Sequence, residues 1–282
     1  MNAHALPRLG LLLAGVALVA LAACNRDREP AAAPAAPGSP AAAVTPADAA
    51  SPMAFNSKTP YANVSLTLPE SIKGQGDLHA RVYADEVRKL RQFVEGAQGE
   101  RTEDGFDTST PPYEKQITVT TALQTGKLLS LKRVDYDNSG GAHPNTLAGG
   151  ILWDKALNRR IGFTDLFRKG ADLSILDQAL CSAINSAKRA RVPDGASVTL
   201  GGPPGAACPR ASATEFVLTP GSAPGKAGGI TFLIGPYQVG PYAEGPYEIA
   251  IPATSFRSLL AIAYADEFGG QLTKTGDVTP DM

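Results

Sequence analysis

Short stretches in which apolar and polar residues alternate, or in which β-branched and apolar residues cluster, predict the β-strands of this chain. In chain order they are residues 63–68, 116–123, 128–136, 150–154, 215–219, 230–234 and 248–251. Residues 124–127 separate the second and third stretches, and Gly126 can adopt the positive φ that a tight turn needs. We therefore expect a hairpin at this position.

Apolar residues at helical spacing predict two long helices and a third near the C-terminus. The first begins at Asp77 and ends at Gly96, the second carries its apolar stripe over residues 173–184, and the third begins at Thr254 or Ser255. Helices and strands are interspersed, hairpin links dominate, and there is no regular βαβ alternation. The sequence predicts an α+β fold in which helices pack on an antiparallel sheet.

A Gly-Pro-Tyr triplet occurs three times at a spacing of five, at residues 235–237, 240–242 and 245–247. Neither a helix nor a strand keeps residues five apart on one face, and each proline removes a backbone donor. The triplets are therefore expected to form a rigid loop between two strands.

The aromatic residues of this loop have two interpretations. Tyr237, Tyr242 and Tyr247 either pack over the sheet with wet hydroxyl groups or form a binding surface that Pro236 and Pro241 stiffen. Tyr242 lies furthest from both predicted strands and is the expected binding anchor. The other two tyrosines adjoin the strands, so packing roles are expected for them.

Polar residues gather between positions 135 and 146, around His143, Asp135 and Asp137. One histidine with carboxylates is a poor zinc set, and a histidine-assisted nucleophile needs partners that the spacing does not identify. We expect His143 to hold a tight turn and to contribute to binding. No catalytic residue, metal or cofactor is predicted, and the alternative is a hydrolase or deacetylase that uses His143 with Asp135 or Asp137.

The chain has 282 residues, a net charge of -1 and 43% hydrophobic residues, as expected of a globular protein. A nucleic-acid partner would require clustered cations, and the densest group, residues 188–191, is short enough to be an ordinary helix end. We therefore expect no nucleic-acid partner.

The N-terminus has the pattern of a lipoprotein leader. An apolar run too short to cross a bilayer comfortably ends in Leu21-Ala22-Ala23-Cys24, which matches the bacterial lipobox. Lipidation is expected at Cys24, and Asn25 favours sorting to the periplasmic side of the outer membrane. An Ala/Pro-rich segment follows and is expected to be a disordered tether.

The two remaining cysteines, Cys181 and Cys208, are an even pair in an oxidising compartment and are expected to form a disulfide. The predicted organisation is a signal peptide (1–23), a tether (24–55), two α+β subdomains (56–145 and 146–270) and a tail (271–282).

Three segments, 139–143, 153–167 and 232–252, resemble in order and spacing the RsiV-like extracytoplasmic domain family. This is a domain of unknown function (3298) found in lysozyme-binding anti-sigma factors and beside peptidoglycan deacetylases. The resemblance implies an α+β fold and an envelope role, with lysozyme recognition in the anti-sigma branch. The sequence shows no sigma-binding segment and no appended deacetylase domain, so neither activity is expected.

The predicted function is that of a lipid-anchored envelope binding protein for a lysozyme-type muramidase or for peptidoglycan. Its membrane contact is predicted to be through the lipid anchor only. The alternatives are a peptidoglycan hydrolase or deacetylase and a structural envelope lipoprotein.

Overall fold

The structure, a computed structural model, describes residues 51–103, 105, 107 and 109–280. The predicted signal peptide, Cys24 and most of the predicted tether lie outside the described residues. The predicted α+β class is confirmed, with two mostly antiparallel sheets and three α-helices among these residues. Within the described residues, no helix is both long enough and apolar enough to cross a membrane.

The first sheet has six strands in sequential order. They are β1 (Ala54–Lys58), β2 (Ala62–Thr67), β3 (Tyr113–Gln124), β4 (Leu128–Asn138), β5 (Asn145–Asp154) and β6 (Arg159–Ile161). Strands β2 and β3 run parallel, and a parallel pair requires a crossover connection. Helix α1 (Gly76–Glu103) provides it and packs its buried apolar side chains on one face of the sheet.

The second sheet has the order β10-β9-β8-β7 and is antiparallel throughout. Its strands are β7 (Glu215–Pro220), β8 (Ala227–Ile234), β9 (Tyr247–Pro252) and β10 (Gly276–Asp277). Helix α2 (Ser174–Arg191) contributes Leu176, Leu180 and Ile184 to a second core that includes this sheet. Every residue of β8 is buried, and Thr231, its one polar residue, forms a hydrogen bond with the Thr219 hydroxyl.

The two sheets meet where β7 crosses β5. A Cβ atom at Gly150 would lie 1.7 Å from the carbonyl oxygen of Phe216, so only glycine allows this approach. Nearby, the backbone N–H of Leu218 donates to Ser130 Oγ of β4 at 2.9 Å. These contacts place the loop between β8 and β9 near the end of β4.

The predicted hairpin is confirmed, since β3 and β4 flank residues 125–127. The predicted end of the first helix is wrong. Helix α1 continues past Gly96 to Glu103, because Ala97 and Arg101 are also buried and the Arg101 guanidinium donates to the carbonyl of Pro111 at 2.6 Å.

The third predicted helix is replaced by short turns and a single helical turn, α3 (Ile262–Ala265). The backbone here pairs with another segment, since Ala261 N–H donates to the carbonyl of Leu166 at 2.9 Å and Leu260 forms a bridge with Phe167. Tertiary pairing therefore overrides the local helical pattern.

The predicted domain limits differ from the observed elements at three places. Strand β1 begins at Ala54, inside the predicted tether. The limit between residues 145 and 146 falls at the start of β5, which belongs to the first sheet. Strand β10 lies in the predicted tail and pairs with β9.

The predicted disulfide between Cys181 and Cys208 is present, with Cα atoms 5.3 Å apart. It joins α2 to the loop that precedes β7. Asn185 of α2 supports the same junction, because its side chain donates to the carbonyl of Val198 at 2.9 Å and accepts from the N–H of Val198 at 2.9 Å.

Candidate functional site

Two connections lie side by side at one end of the molecule: the turn 139–144 between β4 and β5, and the loop 235–246 between β8 and β9. Tyr242 Oη donates to the carbonyl oxygen of Pro144 at 2.7 Å. His143 Nε2 lies 3.2 Å from Tyr237 Oη. The fold thus brings together two segments that sequence analysis had treated separately, and we call His143, Tyr237 and Tyr242 the aromatic cluster.

The three rings of the aromatic cluster are in close contact. His143 stacks on Tyr242 with centroids 3.7 Å apart and ring planes 17° apart. Tyr237 lies against Tyr242 at 5.6 Å, with the planes tilted by 38°. The tilted Tyr237–Tyr242 pair has the spacing at which aromatic contacts add to stability. The rings therefore hold each other in place before any partner binds.

Tyr237 has an unusual backbone conformation. Its φ is +67°, in the left-handed region that side chains with a Cβ rarely occupy. Such a conformation costs about 1–3 kcal/mol and persists only when the surrounding structure imposes it. Its side chain is nevertheless 61% exposed. The loop therefore holds an exposed aromatic side chain on a strained backbone.

The predicted roles of the three tyrosines are only partly matched. Tyr247 packs in the core, as expected, and is 1% exposed. Tyr237, expected to pack, is the exposed member, whereas Tyr242, expected to be the anchor, is half-buried under His143. Pro236 is half-buried and Pro241 exposed. Of these two tyrosines, Tyr237 is therefore the more accessible to solvent.

A buried ion pair fixes the loop to α2. Lys188 Nζ lies 2.7 Å from Glu244 Oε2 and donates to the carbonyl of Val239 at 2.6 Å. Tyr247 Oη donates to the same carboxylate oxygen at 2.7 Å. Burial alone would raise the pKa of Glu244, but the hydrogen bonds from Lys188 and Tyr247 outweigh it and hold this pKa below its usual value.

Arg191, one helical turn after Lys188, supports the end of the loop. Its guanidinium donates to the carbonyls of Glu244 at 3.0 Å and Pro246 at 2.7 Å, and lies over the Tyr247 ring at 3.9 Å from the centroid. It also pairs with Asp277 of β10 at 2.7 Å. The C-terminal segment thus reinforces the loop through Arg191.

Two glycines of the triplets, Gly240 and Gly245, are required for different steric reasons. A Cβ atom at Gly240 would lie 2.4 Å from the Glu244 carboxylate. Gly245 has φ +71° and ψ -169°, a region that essentially only glycine occupies. The repeat therefore does not reflect three equivalent turns.

Asp135 and Asp137 belong to a different cluster. Lys115 Nζ lies 2.7 Å from Asp135 and 3.1 Å from Asp137, while Arg133 pairs with Asp135 at 2.9 Å and with Glu86 of α1 at 2.8 Å. Burial would lower the pKa of Lys115, but its hydrogen bonds to the two aspartates raise it. These carboxylates neutralise cations between α1 and the sheet.

His143 has other partners. Its ring contacts Tyr237, Tyr242 and the carbonyl of Pro144, which lies 3.1 Å from Nδ1. The polar constellation predicted from sequence is therefore divided between two places. In the part of the chain that the structure describes, no group of three or more His, Cys, Asp or Glu residues could hold a metal ion.

Lys188, Arg191 and Glu244 were missed as site residues by sequence analysis. The two cations looked like an ordinary helix end, and Glu244 is a single acidic residue in a loop. Nothing in their spacing indicates that α2 ends beneath the triplets, because that position depends on how the second sheet packs.

Two family models match the chain. Residues 55–146 match the model described as Deacetylase PdaC, and residues 164–254 match the model described as Protein of unknown function (DUF3298). The first match ends at the turn that carries His143. The second contains loop 235–246 and the loop-supporting residues of α2. No curated protein matches the chain.

Two solved structures are similar to it. A DUF3298 family protein from Pseudomonas aeruginosa PAO1 aligns with a TM-score of 0.49 and 17% identity, over 74% of this chain and 88% of that one. A member of the DUF3298 family from Bacteroides fragilis NCTC 9343 aligns with a TM-score of 0.48 and 18% identity, over 73% and 88% of the two chains.

Proposed function

Because the chain carries a DUF3298/PdaC-type extracytoplasmic domain, we propose that it is a lipid-anchored cell-envelope protein that binds a lysozyme-type muramidase through the aromatic cluster. Peptidoglycan is the second candidate ligand for the same surface. The lipobox at Cys24 supports the anchor, and the resemblance to lysozyme-binding domains supports the choice of partner.

The preorganisation of Tyr237 is the observation that carries this proposal. An exposed tyrosine normally loses rotamer freedom on binding, but this side chain is already held by His143 and Tyr242 on a backbone in a strained conformation. A rigid aromatic side chain with a polar tip is typical of binding hot spots. Backbone strain that keeps this side chain at the surface is expected of a residue that binds a partner, because an exposed ring contributes little to packing.

An enzyme of the deacetylase or hydrolase type has less support. That mechanism would use His143 with Asp135 or Asp137, and these aspartates pair with Lys115 and Arg133 instead. His143 instead contacts Tyr237 and Tyr242, so among the described residues it has no carboxylate partner with which it could act as a general acid or base. The description of the PdaC model as a deacetylase therefore does not transfer its chemistry to these residues.

The change Tyr237→Ala is expected to weaken binding of a c-type lysozyme by about 2 kcal/mol, roughly 30-fold, as truncation of an interface anchor does. The free energy of unfolding should change little, because the ring is exposed and alanine, which also has a Cβ, keeps the same backbone strain at φ +67°. Isothermal titration calorimetry and denaturant unfolding of the same preparations measure both quantities.

Tyr237→Phe is the matched control, since it keeps the ring and removes only the hydroxyl that contacts His143. It should retain most of the affinity. A Tyr237→Ala protein that binds lysozyme as well as the wild type does would contradict the proposal for muramidases. Wild-type protein that binds purified peptidoglycan but not lysozyme would favour the glycan, and binding to neither would favour a structural envelope role.

The change Cys24→Ser tests the anchor. If Cys24 is lipidated, this protein is expected to leave the membrane fraction for the soluble periplasm or to remain unprocessed, because serine has no thiol to accept the lipid. Fractionation and intact mass of the wild-type and variant proteins measure the effect. Quantitative recovery of a normally processed variant with the outer membrane would show that the anchor assignment is wrong.

A further inference from the structure

The end of the domain opposite the aromatic cluster carries exposed apolar and cationic side chains. Strand β4 begins at Leu128 and ends at Asn138, just before the turn that carries His143. Its 11 residues separate the two ends by roughly 35 Å at the usual rise of an extended strand. The connections that surround Leu128 therefore form a distinct face, far from the proposed partner site.

Two exposed apolar side chains lie on this face, Leu157 at 56% and Ile262 at 91% exposure. The buried Asp154 carboxylate connects the two segments that carry them. Its Oδ1 accepts from Leu157 N–H at 2.8 Å, and its Oδ2 accepts from Tyr264 Oη at 2.8 Å. Both apolar side chains are thus presented on short turns that a buried hydrogen-bond network holds in place.

Cationic side chains accompany them. Lys127 Nζ donates to the carbonyl of Ala263, next to Ile262, at 2.8 Å, and Lys155 Nζ donates to the carbonyl of Thr125 at 2.6 Å. The N–H of Lys155 also donates to the carbonyl of Lys127 at 2.8 Å. We call Lys127, Lys155, Leu157 and Ile262 the basal surface.

The acidic side chains at this end are divided between buried positions and exposed ones, and Asp165, near Tyr264, is among the exposed. Asp154 is buried, and so is Glu267, whose carboxylate accepts hydrogen bonds from Thr125 Oγ1 and from Lys127 N–H. Asp77 is exposed and contacts the side chain of Asn158, while Asp266 is exposed beyond α3. Buried carboxylates therefore shape the turns, whereas the two lysines remain beside the apolar side chains.

The preceding chain joins the domain at this same end. Pro52 lies at the start of the described residues, and its carbonyl oxygen is 3.2 Å from His79 Nε2 in the first turns of α1. Asp77, also at the start of α1, contacts Asn158, which adjoins Leu157. The first described residues, to which the preceding chain is joined, thus lie at the same end as the basal surface.

We propose that the basal surface rests on an anionic phospholipid bilayer, with the aromatic cluster directed away from it. This orientation deepens the proposed function and rests on it for the reason why a membrane is nearby. Apolar side chains on exposed turns beside lysines are the combination that inserts into an anionic interface. With attachment at the same end, lipid contact leaves Tyr237 free for a partner.

The test is co-sedimentation of the chain from residue 24, with Cys24→Ser so that no lipid contributes, with vesicles of phosphatidylethanolamine and phosphatidylglycerol. Binding is expected to these vesicles and not to phosphatidylcholine vesicles, and to fall with added salt. The double change Lys127→Gln and Lys155→Gln should lower the partition coefficient by about 25-fold, since each cation near such a surface is worth about fivefold. Ile262→Ser should lower it by several-fold because fewer buried carbons remain.

Leu200→Ser is the matched control, because Leu200 is 44% exposed but lies in the loop that follows α2. It should bind vesicles as the parent protein does, and so should Tyr237→Ala. Absence of binding to anionic vesicles, or equal losses for Leu200→Ser and Ile262→Ser, would overturn the proposal. Loss of lysozyme binding by Tyr237→Ala is measured separately, so failure of the proposed function and failure of the orientation are distinguishable.

Discussion

Truncation of Tyr247 to alanine is expected to lower the free energy of unfolding by about 3–5 kcal/mol, the usual cost of removing a buried aromatic side chain. The ring is 1% exposed, lies in the second core and packs under the Arg191 guanidinium at 3.9 Å. Its hydroxyl donates to Glu244, so truncation also removes one partner of a buried carboxylate. Denaturant unfolding measures the loss.

Tyr247→Phe is the control for this change. It keeps the packing and removes only the hydroxyl, so we expect a cost of about 1 kcal/mol. Burial, together with the hydrogen bond to Glu244, raises the pKa of Tyr247, so the phenol remains a donor throughout the neutral range. An alanine variant that unfolds at the same denaturant concentration as the wild type would show that the ring does not stabilise the core.

The change Lys188→Ala is expected to lower the free energy of unfolding by about 3–5 kcal/mol, because it leaves the buried Glu244 carboxylate without its partner. Glu244 would keep only the Tyr247 hydroxyl as a side-chain donor, and the carbonyl of Val239 would lose the Lys188 ammonium. Since both acceptors belong to the loop 235–246, the proposed lysozyme binding should weaken together with stability. Unfolding and calorimetry on one preparation test both expectations.

The double change Lys188→Met and Glu244→Gln is the control, because it removes both charges at similar volume. It should recover much of the stability lost in the single variant, as replacement of a buried ion pair by neutral groups often does. If the double variant is no more stable than Lys188→Ala, charge imbalance is not the cause of the loss.

The pH dependence of stability gives an independent check on this ion pair. The pKa of Glu244 is lower in the folded chain than its usual value. Its contribution is therefore present above the usual carboxyl pKa and is lost as the pH falls through the lower, folded value. Melting temperatures measured from neutral to acidic pH should show a smaller acid-induced decrease for Glu244→Gln than for the wild type.

Local sequence patterns were sufficient for most of the strands, the β3–β4 hairpin, helix α2 and the α+β class. For the helix and the strands, the spacing of apolar residues indicates which face is buried. For the hairpin, Gly126 indicates the turn. The two remaining cysteines indicated the bridge between Cys181 and Cys208, because an even pair is expected to be bridged in the oxidising compartment that the lipobox predicts.

At the candidate site, local sequence patterns did not predict which side chains are in contact or exposed. The triplets correctly indicated a loop between two strands, and Tyr242 was the predicted anchor because it lies furthest in sequence from both strands. The surrounding structure instead places His143, which is 99 positions earlier in the chain, against Tyr242 and leaves Tyr237 exposed. Exposure depends on which distant segment covers a side chain, and spacing carries no information about that segment.

Lys188 and Glu244 make the same point for charge. In sequence they are a helix-end cation and a single loop acid, and either would normally remain in water. They form a buried pair because α2 ends beneath loop 235–246 once the second sheet has assembled. The sequence by itself determined which segments are helix, strand and loop, since these follow from local backbone preference and apolar periodicity. Only the tertiary structure decided which side chains meet, because contact between residues distant in the chain depends on how whole elements pack.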